Sequence, residues 1–138
     1  MTNYTDFPDL ANVYLEDSFV LGIDETPTSL SFRLEAVLTQ AHPRYHQPRP
    51  GEAHCYADAV LTIADATKIE WITRSSQTYR DATGEEDLGN IDSLQRHADH
   101  YEIFGDWGHV RIFSRAAPRL TFIPEATNPA KPQGPTTT

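Results

Sequence analysis

Residues 28–39 read "TSLSFRLEAVLT". Leu30, Phe32, Leu34, Ala36 and Leu38 occupy every second position. Ser31, Arg33, Glu35 and Thr39 lie between and after them, with Val37 as the exception. In a pleated strand, alternate side chains point to opposite faces, so this pattern gives one apolar face and one wet face. A helix would spread the same apolar residues around its circumference.

Working outward, the same period recurs on both sides. Upstream, "SFVLGIDE" (18–25) sets Phe19, Leu21 and Ile23 on one face, and Pro27 within "ETPTS" turns the chain. Two alternating runs about a short turn predict a hairpin of 18–25 with 28–39. "NVYLED" (12–17) either begins the first strand or forms a separate short one, and Pro8 with Asp6 and Asp9 allows a brief helical turn before it. Downstream, "HCYADAVLTIA" (54–64) aligns Cys55, Ala57, Ala59, Leu61 and Ile63. "DAT" then turns the chain, and "KIEWITRS" (68–75) aligns Ile69, Trp71 and Thr73, which predicts a second hairpin.

Residues 76–90 lack a period and read as a long loop, a kind of segment that is often functional or disordered. "NIDSL" (90–94) reads as a short strand. "DHYEIFGDWGHVRIFSRA" (99–116) reads as a third hairpin, with Gly105 and Gly108 supplying positive φ angles around Asp106-Trp107. "PRLTFI" (118–123) closes the pattern. The sum is an antiparallel all-β domain of about eight strands built from successive hairpins, a sandwich or flattened barrel. It spans residues 1–123, and 124–138, with four prolines in fifteen residues, reads as a flexible Pro-rich tail.

The totals bound the function. A chain of 138 residues fits one domain, able to bury roughly 65–70% of its unfolded surface without cross-links. A lone cysteine, Cys55, favours a reducing compartment. No apolar run approaches the roughly 18 residues of a membrane span, and the N-terminus lacks a secretory pattern, so the expected setting is the cytoplasm, away from membranes. The formal charge of −9, from 20 acidic and 11 basic residues, argues against nucleic acid. It suits a basic protein partner, or simple solubility.

Two stretches carry candidate chemistry. "AHPRYHQPRPGEAHCY" (41–56) holds His42, His46 and His54 beside Cys55, the donor types that zinc takes. The prolines break any shared helical face, and His54 and Cys55 point to opposite sides of a strand, so a stiff surface loop is the preferred reading of these histidines and a metal site the alternative. His97 and His100 add a second pair, with two residues between them. "RDATGEEDLGNID" (80–92) carries Asp81, Glu85, Glu86, Asp87 and Asp92 but fails the EF-hand pattern. Trp107, at the "GDWG" corner, either anchors a partner or caps the core. Nucleophile-elbow and nucleotide-binding motifs are absent, and no cofactor is implied.

"YLEDSFVLGI", the "HP-x-Y" of 42–45, "GEEDLGNIDS" and "GDWGHVRI" together resemble a group of small bacterial β-rich proteins without an assigned activity, over about residues 11–122. The strand pattern is also loosely similar to β-rich immunity proteins of bacterial toxin systems. That similarity transfers no binding residues; the acidic charge, the all-β pattern without a catalytic motif and the acidic loop with Trp107 are what suggest a non-enzymatic, immunity-type binding module with Glu85, Glu86, Asp87, Asp92 and Trp107 facing a basic protein. The alternative is a small-ligand or metal-assisted enzyme that gathers His42, His46, His54, Asp87 and Asp92 in a cleft.

Overall fold

The structure is a computed structural model, and it describes residues 1–75, 78–80 and 86–124. A two-residue strand, β1 (Thr2–Asn3), leads into two 3-10 turns, Tyr4–Asp6 and Pro8–Leu10. The strands that follow are β2 (Val13–Thr26), β3 (Ser29–Leu38), β4 (Cys55–Ile63), β5 (Ala66–Arg74), β6 (Tyr79–Arg80), β7 (Glu86–Asp87), β8 (Ile91–Arg96), β9 (Tyr101–Gly105), β10 (Gly108–Ser114) and β11 (Arg119–Phe122). They form a five-stranded sheet ordered β1-β8-β9-β10-β5, a four-stranded sheet ordered β11-β4-β3-β2, and the small ladder β6-β7. All pairs are antiparallel, and the two large sheets do not close into a barrel. The expected loop at 76–90 thus contains a short ladder. Residues 125–138 of the expected tail lie outside the described residues.

The alternation of 28–39 sets the inner face. Leu30, Phe32, Leu34, Ala36 and Leu38 are buried, and β3 is central, bonded to β2 on one side and β4 on the other. Ile103, Val110 and Ile112 belong to the same buried cluster from β9 and β10 of the five-stranded sheet. At about 1.5–3 kcal/mol per fully buried side chain, this shared layer dominates the favourable side of folding.

The first hairpin departs from simple alternation. Phe19 pairs with Glu35 and Val20 with Leu34, but Gly22 pairs with Arg33 and Ile23 with Phe32. An irregularity between Val20 and Gly22 adds one residue to β2 and reverses its alternation. Phe19 therefore lies outside, stacked on Tyr56, while Ile23 packs against the core. A second irregularity between Tyr14 and Phe19 is filled by the buried Ser18. Its Oγ donates to Tyr14 O at 2.8 Å and accepts from Val37 N at 2.8 Å. Ser18→Ala strands that amide in the core, so a loss of about 1–3 kcal/mol is expected. It would be read as a lower urea midpoint at unchanged m, and an unchanged midpoint would contradict this role.

The expected second hairpin is not one. β4 pairs with β3 throughout, from Leu38↔Cys55 to Leu30↔Ile63, whereas β5 pairs with β10 in the other sheet. Asp65 takes φ 54°, Ala66 N donates to Thr28 O at 2.8 Å, and Ser114 Oγ donates to Ala64 O. These bonds fix a corner that passes the chain from one sheet to the other. The third hairpin is as expected, with Gly105 opposite Gly108 across Asp106-Trp107, but of the two glycines only Gly108 takes a positive φ.

Candidate functional site

Segment 87–92, "DLGNID", ties β2 to the five-stranded sheet. Leu88 N donates to Val20 O and Val20 N to Gly89 O, each at 2.8 Å. The Asn90 side-chain amide donates to Glu16 O at 2.9 Å and to Ser18 O at 3.0 Å. Two carboxylates satisfy backbone here: Asp87 Oδ1 accepts from Gly89 N at 2.7 Å, and Asp106 Oδ2 from Asn90 N at 3.0 Å. Glu16 accepts a hydrogen bond from the buried Tyr4 hydroxyl. Asp92 stands exposed beside them. Partial burial, then the charges of Asp106 and Glu16, push its carboxyl above the usual range. Among the described residues, none of Glu16, Asp92 and Asp106 forms an ion pair with Lys or Arg.

A second cluster lies on the outer face of the five-stranded sheet. Glu102 on β9 faces Arg111 on β10, which faces Glu70 on β5. Glu102 Oε2 accepts from His109 Nε2 at 2.6 Å and from Arg111 Nε at 3.2 Å. Burial pushes the Glu102 carboxyl up, but these two hydrogen bonds and the charges of Arg111 and His109 together hold the group below the usual carboxylate range. Its other oxygen, Oε1, lies 3.2 Å from His97 Nε2, yet His97 Nε2 makes no hydrogen bond. His97 and His100 close the β8–β9 turn through His97 N donating to His100 O at 2.8 Å, and their rings stack with centroids 4.9 Å apart. The exposed Phe104 ring stacks on His109 at 3.8 Å.

The residues singled out from sequence fall in several places. His42 Nδ1 accepts from Arg44 N at 3.0 Å, and its ring meets Phe122 edge-on. His46 hydrogen-bonds through Nδ1 to Gln47 O at 2.9 Å, and its backbone amide donates to Cys55 Sγ. His54 Nε2 lies 3.5 Å from Asp17 Oδ2. These three histidines are not brought within joint coordinating reach. Among the described residues, the group of three or more donors close enough to hold one ion is His97, His100 and Glu102. Cys55 is buried in register, as expected. Nor do His42, His46, His54, Asp87 and Asp92 share a cleft: a surface groove of about 300 Å³ takes in His46, and another takes in His42.

Asp87 and Asp92 both lie on the segment described above, with Glu86 exposed at its start. Glu85 and Asp81 lie outside the described residues. Trp107 is fully buried, so it offers no anchor at the surface and belongs to the core. Sequence reasoning missed Glu16, Asp106, Glu102 and His109. Only a carboxylate two residues beyond an H-x-x-H turn hinted at Glu102, since i and i+2 share a strand face. No helix among the described residues is long and apolar enough to cross a membrane. Comparison with known proteins matches no family model, no curated protein and no solved structure.

Proposed function

We propose that this chain is a cytoplasmic, non-enzymatic protein-binding module, immunity-like in role, that receives a basic protein at the edge formed by Glu16, Glu86, Asp87, Asp92 and Asp106. One observation carries the reading: Glu16, Asp92 and Asp106 come together at segment 87–92, and among the described residues none of them pairs with Lys or Arg, while partial burial and the other two charges push the Asp92 carboxyl up. A group with a raised folded pKa opposes folding when charged, and that opposition disappears as pH falls through the folded pKa. The fold thus keeps negative charge where the charge works against stability. Lys or Arg from a partner would relieve the repulsion, and the acidic field would speed its approach. The net charge of −9 extends that field over the molecule.

The test separates binding from stability. Asp92→Asn is expected to leave the urea midpoint unchanged or raised. Tagged wild type should retain a basic protein stoichiometrically from lysate at low salt. Glu86→Lys combined with Asp92→Lys should lose it, whereas Asp58→Lys on the exposed face of β4 should keep it. Equal retention by the double variant, or no basic protein retained by wild type, would refute the reading.

A further inference from the structure

We infer that His97, His100 and Glu102 form a binding site for a borderline divalent transition ion, zinc being the best match. The ligand atoms of the three residues all lie within 4.8 Å of one another. Tetrahedral zinc at about 2.0–2.2 Å from N and O donors needs them roughly 3.3 Å apart, so a small side-chain closure suffices. His97 Nε2 and Glu102 Oε1 already stand at 3.2 Å. Two imidazoles and a carboxylate suit zinc and its first-row neighbours better than calcium or magnesium, which prefer all-oxygen shells.

Three further features point to a cation at this spot. First, the Nε2 atom of His97 is shielded from solvent and makes no hydrogen bond, although Glu102 Oε1 stands 3.2 Å away. Buried polar atoms seldom remain unsatisfied, and a metal would satisfy this one. Second, two of the three ligands have an outer support. His100 Nδ1 donates to Asp99 Oδ1 at 2.8 Å, which fixes the ring and leaves Nε2 outside that bond. Glu102 divides its oxygens, Oε2 being held by His109 and Arg111 while Oε1 faces His97. Carboxylate support behind a ligating imidazole is the usual outer shell of such sites. Third, the surroundings are open: a groove of about 610 Å³ lined by Arg96, Ala98, Asp99 and Phe113 adjoins the turn that carries the ligands, although none of the three lines it. Three protein ligands leave the fourth tetrahedral position of zinc for water or an exogenous ligand. The site is separate from the acidic edge, and neither inference needs the other.

The experiment uses the untagged full chain, stripped with chelator and titrated with Zn²⁺ by calorimetry and with Co²⁺ by visible absorption. One ion per chain is expected, with the intense visible bands of four- or five-coordinate Co²⁺. His100→Ala and Glu102→Gln should each abolish saturation in the micromolar range. His109→Gln, which removes only outer support, should weaken binding by roughly 10- to 100-fold. The triple variant His42→Ala/His46→Ala/His54→Ala should bind like wild type. Circular dichroism confirms that each variant is folded. Should a ligand variant unfold, zinc protection of His97 and His100 from diethylpyrocarbonate in wild type decides the matter. No binding by wild type, octahedral Co²⁺ bands, equal binding by folded His100→Ala, or loss in the triple variant would each overturn the site.

Discussion

Trp107→Ala is expected to destabilise the fold by about 3–5 kcal/mol, the range for removing a large buried aromatic side chain. The indole is fully buried at a hairpin tip. It lies 4.9 Å from the Phe32 ring of the opposite sheet and 5.9 Å from Trp71, edge to face. It thus bridges the two layers, and the cavity left by alanine would open between them. Gly105 makes room for it, because a Cβ there would stand 2.3 Å from Trp107 Nε1. Against a typical total of about 5–15 kcal/mol, this loss leaves a barely folded protein. Trp107→Phe should cost less than the alanine change, since it keeps a ring and removes an indole N–H that finds no partner. Urea unfolding followed by circular dichroism gives both values. A cost below about 1 kcal/mol for alanine would mean that the indole does not hold the sheets together.

Gly108→Ala is the second large effect, for a different reason. Gly108 has φ 141°, a conformation that L residues seldom adopt, and a Cβ there would meet Thr73 O at 2.4 Å and Arg74 Cα at 2.9 Å. Both obstacles are backbone of the neighbouring β5, so no side-chain rotation clears them. Conformational strain and forced separation of the strands together should cost about 2–6 kcal/mol. Hydrogen exchange should show the β5–β10 pairing opening first, with His109↔Thr73 next to the lesion. A variant as stable as wild type, with the ladder still protected, would contradict this geometry.

Much of the fold is legible in the sequence wherever one face of a strand is wet. Leu30 to Leu38 alternate because β3 has one inner face, and Tyr101, Ile103, Val110 and Ile112 mark the β9–β10 hairpin in the same way. Alternation names a face but not a neighbour. The Ala64–Asp65 corner therefore reads as a hairpin turn, although it carries the chain between sheets. Alternation also fails where a bulge adds a residue, which is why Phe19 and Ile23 part company in β2. The candidate sites are less legible still. His42, His46 and His54 are close in sequence, yet the Pro-rich loop gives each a separate local partner. Glu102 meets His97 across a turn and His109 across a strand pair, a distance set by register that periodicity does not encode. The acidic edge was half visible: Asp87 and Asp92 lie within one motif, while Glu16 and Asp106 arrive from β2 and the hairpin tip.

The acidic edge is the central claim, and the ionic-strength dependence of association tests it most directly. With the captured basic partner, the wild-type association rate should fall by about tenfold or more between 50 and 300 mM salt. Glu86→Lys/Asp92→Lys should associate more slowly at low salt and converge on wild type as salt rises. Rates that match at every ionic strength would show that the partner binds elsewhere.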